Sequence, residues 1–327
     1  MLRFLTAGES HGQGLVVILE GLPAGLTIDF DSITHQLRRR QGGYGRGQRM
    51  AIESDRAEVL SGVRDGETIG APIALLVRNK DWTNWKETMG AEAAASESVQ
   101  ANRKPRVSRP RPGHADLAGA LKFNRMDIRD VLERASARET AARVAAGAIA
   151  RQFLEVFNIE VASHVTAIGG IKISFETISF EDVRNIPADA PLRCVDRDIE
   201  QVMVKCIDSA RAAGDTVGGA FEVILRGLPI GLGNYAQWDR KLDGRLAQAI
   251  MSIPAIKAVG IGIGSAASGL PGSQVHDEIV LRPTRDETDD SPIPVARPTN
   301  NAGGLEGGVT NGEDLRVSGY MKPISTL

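Results

Sequence analysis

The chain has 327 residues, 42% hydrophobic and 24% charged, with a formal net charge of −2. That balance excludes extensive disorder and a strongly basic nucleic-acid binder, and it suits one large domain or two ordinary ones. Two cysteines, Cys194 and Cys206, are too few for a disulfide framework or a four-ligand zinc site. The start, Met1 to Glu9, has no long apolar stretch, and no run approaches the roughly 20 apolar residues of a membrane span. The reading is a reducing, cytoplasmic setting with no membrane partner. Glycine is abundant, at 36 residues, and sits in short clusters between apolar runs. Such clusters suit tight turns and close backbone approaches.

In chain order, a β-like run covers Leu15–Glu20, a helix-like stretch Asp31–Arg40, and further β-like runs Val59–Val63 and Ile69–Val77. Segment 78–113 lacks apolar periodicity, and ordered loops of that length are usually functional. From Asp127 to Phe157 the apolar residues fall at helical spacing. Ser136-Ala137-Arg138-Glu139 has the Ser-x-x-Glu pattern of a capping box, so a break is expected near Arg134-Ala135 and a helix from Ser136. A second helix is expected over Asp198–Ala212, with Ile199, Val202, Met203, Cys206, Ile207 and Ala210 on one face. Later runs, Phe221–Leu225, Val259–Ile263 and Asp314–Met321, read as strands, with a helix over Asp239–Ser252 and a surface loop over 284–300.

The chain also repeats itself. Val17 to Leu26 reappears as Val223 to Leu232, differing only at Glu20/Arg226 and Ala24/Ile230. At the same offset Gly8-Glu9-Ser10 meets Gly214-Asp215-Thr216. Gly62 to Glu67 resembles Gly308 to Glu313, and Asp-Gly and Asn-Gly are hairpin signals. Two related units, about 8–77 and 214–322, are therefore expected around a helical section of about 115–212. The fold expectation is α+β: a β-α-β sandwich of two antiparallel sheets flanking central helices, with a pseudo-twofold repeat.

Positive charge is concentrated in three places: Arg38, Arg39, Arg40, Arg46 and Arg49; then Arg103, Lys104, Arg106, Arg109 and Arg111; then Arg134, Arg138 and Arg143. In a near-neutral chain this points to an anion site. Glycines 42, 43, 45 and 47 let backbone approach a ligand while arginines fork onto phosphate or carboxylate. The helix start at Ser136 adds free backbone N–H groups. Nucleic acid would call for interleaved aromatics or a recognisable module, and neither is present. His11 and His114 each neighbour glycine on a turn and suit acid–base work. Gly8-Glu9-Ser10-His11-Gly12 fits G-x-S-x-G, but a nucleophile elbow needs a strand before it and a helix after it. Gly260-Ile261-Gly262-Ile263-Gly264 falls short of a dinucleotide loop.

Several of these motifs, with Gln237 to Asp243, Gly272 to Glu278, Asn300 to Gly308 and Met321 to Leu327, together resemble chorismate synthase from end to end. The resemblance implies phosphate elimination from 5-enolpyruvylshikimate 3-phosphate with reduced FMN, in a homotetramer. It implies His11 as proton donor to the leaving phosphate and His114 as partner of the flavin. It places FMN at Arg134, Ala135, Ser136, Pro254, Ala255, Gly307, Lys322, Pro323, Ile324, Ser325 and Thr326. Substrate or NADPH falls to Ser10, Arg40, Arg46, Arg111 and Arg138, with NADPH associated with Arg40 and Arg46. Two departures stand out. The family pattern continues past Leu327 to an Arg-Ser-Asp-type motif, which implies a shortened chain, and Ala258-Val259-Gly260 replaces a frequent Gly-Val-Glu. The alternative reading is a non-catalytic flavin- or anion-binding protein on the same scaffold.

Overall fold

The structure is a computed structural model, and it describes residues 2–45, 54–93, 100–174, 178–281 and 294–325. The chain divides into two compact units, Met1–Val156 with Ala210–Thr216 and Ser325–Leu327, and Phe157–Ser209 with Val217–Ile324.

The first unit is built on strands β1 (Arg3–Ala7), β2 (Gly14–Glu20), β3 (Ala24–Thr27), β4 (Ala57–Ser61), β5 (Val63–Arg64), β6 (Glu67–Ile69) and β7 (Ile73–Arg78). Its main sheet is antiparallel, in the order β1-β2-β7-β4. Strand alternation puts Leu15, Val17, Leu19, Ile73, Leu75 and Val77 on one buried face. That face packs on two helices, Phe30–Gln41 through Ile33 and Leu37, and Thr140–Glu155 through a run of alanines and Ile149. Alanine at five of the buried positions of one face (Ala141, Ala142, Ala145, Ala146, Ala148) lets the second helix lie close to the sheet. Gln152 of that helix accepts from the Asp29 N–H and donates to the Asp29 carbonyl. It thereby anchors the residue whose carboxylate caps the first helix.

The second unit contains β8 (Glu160–Ile168), β9 (Ile171–Lys172), β10 (Gly219–Arg226), β11 (Ile256–Ile261), β12 (Val280–Leu281), β13 (Val295–Ala296), β14 (Leu305–Glu306), β15 (Val309–Thr310) and β16 (Leu315–Met321). Its sheet runs β11-β16-β10-β8-β9. Read from the other end of the first sheet, β4-β7-β2-β1, the order is the same. The register agrees too. Val17 faces Leu75 and Thr6, while its counterpart Val223 faces Val317 and Ser163. Each unit also has one threonine that ties its repeat segment. Thr68 accepts from Leu26 N–H and donates to the Pro23 carbonyl; Thr310 does the same with Leu232 and Pro229. One sheet face packs on the helix Leu242–Met251. Ile224, on the other, packs on Phe180, Val183 and Ile186.

Several expectations need correction. The second hairpin turns at Gly307-Gly308, between β14 and β15, and not at Asn311-Gly312. The threonines show why: Thr68 corresponds to Thr310, so Gly62–Glu67 aligns four residues earlier than the Gly308 match suggests. The section 115–212 is not helical throughout, because β8 lies within it and pairs with β10. The run Ile69–Val77 divides at Gly70–Pro72, where Gly70 has φ of 77° and Pro72 has no N–H to give a ladder. Ser136 does not open a capping box. Its hydroxyl accepts from Arg138 N–H, while Glu139 is engaged by Thr6 and Arg143. A short 3-10 turn, Ala137–Glu139, precedes the helix from Thr140. Likewise a 3-10 turn, Trp238–Arg240, precedes Leu242–Met251. The helix Arg197–Ala212 forms as expected, but Val202 points outward at 45% exposure. In 284–300, residues 284–293 lie outside the described residues.

Candidate active site

The loop between β1 and β2 carries Ser10 and His11. Gly8, at φ of 100°, permits its entry; a Cβ there would sit 2.2 Å from the Gly14 carbonyl oxygen. Three side chains then fix the loop. Arg134 donates to the Thr6 and Gly8 carbonyls. Asn79 donates to the Glu9 and Gly12 carbonyls. Glu133 accepts from Ser10 Oγ at 2.7 Å and from His11 N–H at 2.9 Å. The same carboxylate meets His11 Nδ1 at 2.8 Å. Burial alone would raise the Glu133 carboxyl, but the hydrogen bonds from His11 and Ser10 outweigh it and hold it below the usual carboxylate range. The indole of Trp85 stacks on His11, ring centroids 4.0 Å apart. Lys104 Nζ lies 3.2 Å from the centre of the same indole. His11 is 22% exposed at its side chain. No described residue bonds its Nε2. Ser10 is buried, with its hydroxyl given to a carboxylate and a strand following it, which removes the nucleophile-elbow reading.

His114 has its own carboxylate. Gly113, at φ of 74°, turns the chain so that Asp116, the first residue of the helix Asp116–Phe123, accepts from His114 Nδ1. Arg111 donates to Asp116 through both its backbone N–H, at 3.0 Å, and its Nε, at 2.9 Å. Arg111 Nη2 lies 3.2 and 3.4 Å from the two ring nitrogens of His114. Burial pushes the Asp116 carboxyl up, and the Arg111 and His114 hydrogen bonds bring it below its usual value.

Arg40 and Arg138 share one buried carboxylate, Asp55. Arg138 Nη1 reaches it at 2.7 Å and Arg40 Nη1 at 3.4 Å. Arg138 also donates to Asn79 Oδ1, and Arg40 to Thr140 Oγ1 and the Ala137 carbonyl. Arg40 sits in the last turn of its helix, where a cation suits the dipole. Arg134 spends its guanidinium on β1 and the Gly8 turn. Thus Ser10, His11, Arg40, Arg111, His114, Arg134, Ala135, Ser136 and Arg138 fall in the first unit, with the two histidines on separate partner sets. Arg46 and Thr326 lie outside the described residues.

In the second unit, Ala255 has φ of 71°, a conformation L side chains rarely adopt. Its carbonyl accepts from Lys322 N–H at 3.0 Å, which brings Pro254, Ala255, Lys322 and Pro323 together beside the β11–β16 pairing. Gly307, at φ of 60°, faces open space where a Cβ would be, apart from Tyr235 at 4.0 Å. A cavity of about 310 Å³, lined by Ile261, Val275, His276, Asp277, Asn301 and Glu306, adjoins that turn.

Residues 2–327 match the family model described as chorismate synthase. The chain belongs to the chorismate synthase family. It is 54% identical over 327 residues to "Chorismate synthase" of Geobacter sulfurreducens, covering all of this chain and 82% of that one. It is 52% identical over 327 residues to "Chorismate synthase 2" of Bacillus cereus, with the same coverage. A solved structure described as "Crystal Structure of Chorismate Synthase" superposes with a TM-score of 0.79 at 43% identity, covering 98% of this chain and 85% of that one.

Sequence reasoning missed Glu133, Asp55, Asn79 and Trp85. Asp116 stood inside the quoted Arg111 to Asp116 motif without a role. Glu133 directly precedes the Arg134-Ala135-Ser136 motif, and that adjacency was the available signal. Nothing local marks Asp55 or Asn79, whose partner Arg138 is 83 and 59 residues away.

Proposed function

We propose that the chain catalyses the 1,4-anti elimination of phosphate and a C6 proton from 5-enolpyruvylshikimate 3-phosphate, the C6–H electron pair forming the new double bond as the C–O bond to phosphate breaks, giving chorismate. The observation that carries this reading is His11: its Nδ1 is held by Glu133, and among the described residues none bonds Nε2. Charge grows on the phosphate as the C–O bond breaks, and a proton from His11 Nε2 offsets it. Arg40, Arg111 and Arg138, already held by Asp55 and Asp116, are fixed donors for the three anionic groups of such a substrate. Ser10 holds its hydroxyl on Glu133 and so helps set His11.

Reduced FMN fits the residues present. The strained Ala255 backbone, the Lys322 cation, and the open turn at Gly307 are the kind of features that let a flavin approach the main chain. Pro254, Pro323 and Ile324 extend that set in sequence, while Arg134, Ala135, Ser136 and Ser325 are flavin positions on the family resemblance alone. When bound, reduced flavin supplies transient electron density to the substrate, with no net redox change. His114, keyed by Asp116 and flanked by Arg111, is the group that would hold a proton at the flavin's N1 and O2 edge. NADPH at Arg40, a homotetramer, a cytoplasmic location and the pseudo-twofold sandwich complete the proposal.

The test is equilibrium binding of FMN to the chain, followed by turnover under anaerobic conditions. Flavin binding with turnover supports the reading. Flavin binding without turnover would favour the non-catalytic alternative, which the comparisons do not support.

A further inference from the structure

We propose that Glu133 is the positioning residue of His11, fixing its imidazole in the Nδ1–H tautomer so that Nε2 is the atom offered to the substrate. The inference rests on the reading of His11 as proton donor. Both Glu133 oxygens reach Nδ1, at 2.9 and 2.8 Å. Glu133 is 2% exposed, and its carboxylate also receives the Ser10 hydroxyl and the His11 N–H. An ionised carboxylate only accepts, so the proton on that edge of the ring belongs to Nδ1. The hydrogen bond at one ring nitrogen decides what the other can do. Nε2 is then a lone pair in the neutral ring and a donor in the imidazolium.

Trp85 supplies the second constraint. It lies on one face of the ring at an interplanar angle of 22°. Its own position is set by Nε1–H donating to Asp81 and by Lys104, whose Nζ lies 3.2 Å from the centre of the indole. A ring held at its edge by a carboxylate and across its face by an indole cannot flip to exchange its nitrogens without breaking both contacts. Backbone contacts add to this. Ser10 N–H donates to the Glu133 carbonyl at 2.9 Å, so the residue that keys the ring also carries the loop. A buried carboxylate on Nδ1 that sets tautomer and orientation is the arrangement of the serine-protease triad, used here for an acid and not a base.

The decisive experiment is ¹⁵N NMR of His11 in the ligand-free chain, above the pH at which the ring is neutral. The expected signals show a protonated Nδ1 and an unprotonated Nε2. Glu133→Ala shifts the ring towards the Nε2–H form that imidazole prefers in water. Glu133→Gln, whose amide oxygen still accepts from Nδ1–H, retains the wild-type tautomer. With reduced FMN and substrate, Glu133→Ala lowers kcat at least about tenfold, the low end of an acid–base contribution, with KM changed less than about twofold. Glu133→Gln recovers part of that loss. A wild-type ring protonated on Nε2, or a tautomer unmoved in Glu133→Ala, overturns the proposal. The wild-type spectrum needs no variant to fold. It also stands apart from turnover: a Nδ1–H ring in a chain that never eliminates phosphate refutes the functional reading and leaves Glu133's role in place.

Discussion

Replacing Asp55 by alanine tests how the arginine cluster is held. The carboxylate is fully buried and bridges Arg138, 4% exposed at its side chain, to Arg40. Removing it takes the shared buried carboxylate from two shielded guanidinium groups, which also reach Asn79, Thr140 and the Ala137 carbonyl. Breaking a buried pair from one side costs about 3–5 kcal/mol, because the remaining charge is uncompensated. For a unit of this size that is a fall in Tm of roughly 6–20 °C. Asp55→Asn keeps an acceptor for Arg138 and costs less. A useful contrast is Glu58 with Arg78, an ion pair at 2.6 Å whose partners are both exposed; Glu58→Ala leaves the midpoint in place. The assay is denaturant unfolding followed by tryptophan fluorescence, since Trp82 and Trp85 report on the first unit. An Asp55→Ala midpoint within about 1 kcal/mol of wild type would refute the buried-bridge argument.

Three further outcomes are expected. His11→Ala and His114→Ala each lower turnover at least about tenfold, and wild-type rates in both variants would remove their assigned roles. Glu133, Asp116 and Glu222 all have carboxyls held below their ordinary values of 4.5, 3.8 and 4.5. Their stabilising contribution is therefore complete above those values and is lost as pH falls through the lower folded-state values. Denaturation midpoints measured at falling pH should drop below about pH 4.5, with Glu133→Gln flattening part of the slope, and a flat profile refutes this. Gly262→Ala places a Cβ 2.0 Å from the Asn301 carbonyl oxygen at φ of 57°, whereas Gly66→Ala at φ of 82° meets nothing within 4 Å. Unfolding measurements should show Gly262→Ala as the more destabilising, by well over the roughly 1 kcal/mol of backbone strain alone; equal costs contradict the close approach.

Much of the fold was legible where an apolar run is short and bounded by glycine. Leu15–Glu20, Phe221–Leu225 and Asp314–Met321 each fall within a residue or two of their observed strands, because short apolar runs between turn signals mark buried strands. The Asp198–Ala212 helix was legible from apolar residues recurring at helical spacing. Local patterns misled where a distant partner claimed the side chain. Glu139 could not close a capping box on Ser136 once Thr6, 133 residues away, and Arg143 had engaged it. The Asn311-Gly312 turn signal lost to Gly307-Gly308, because Thr310 had to reach Pro229 and Leu232. The site shows the same division. The histidines and arginines stand out by their glycine and basic neighbours. The carboxylates that orient them do not, because Glu133 is 122 residues from His11 and Asp55 is 83 from Arg138.

The central claim is that this chain eliminates phosphate without consuming its flavin. Anaerobic incubation with 5-enolpyruvylshikimate 3-phosphate and reduced FMN tests it most directly, with phosphate, chorismate and the flavin spectrum followed together. Phosphate and chorismate appearing in equal amounts, with the flavin still reduced at the end, is the predicted result. Phosphate without chorismate, or bound reduced flavin with no release of either product, would contradict it.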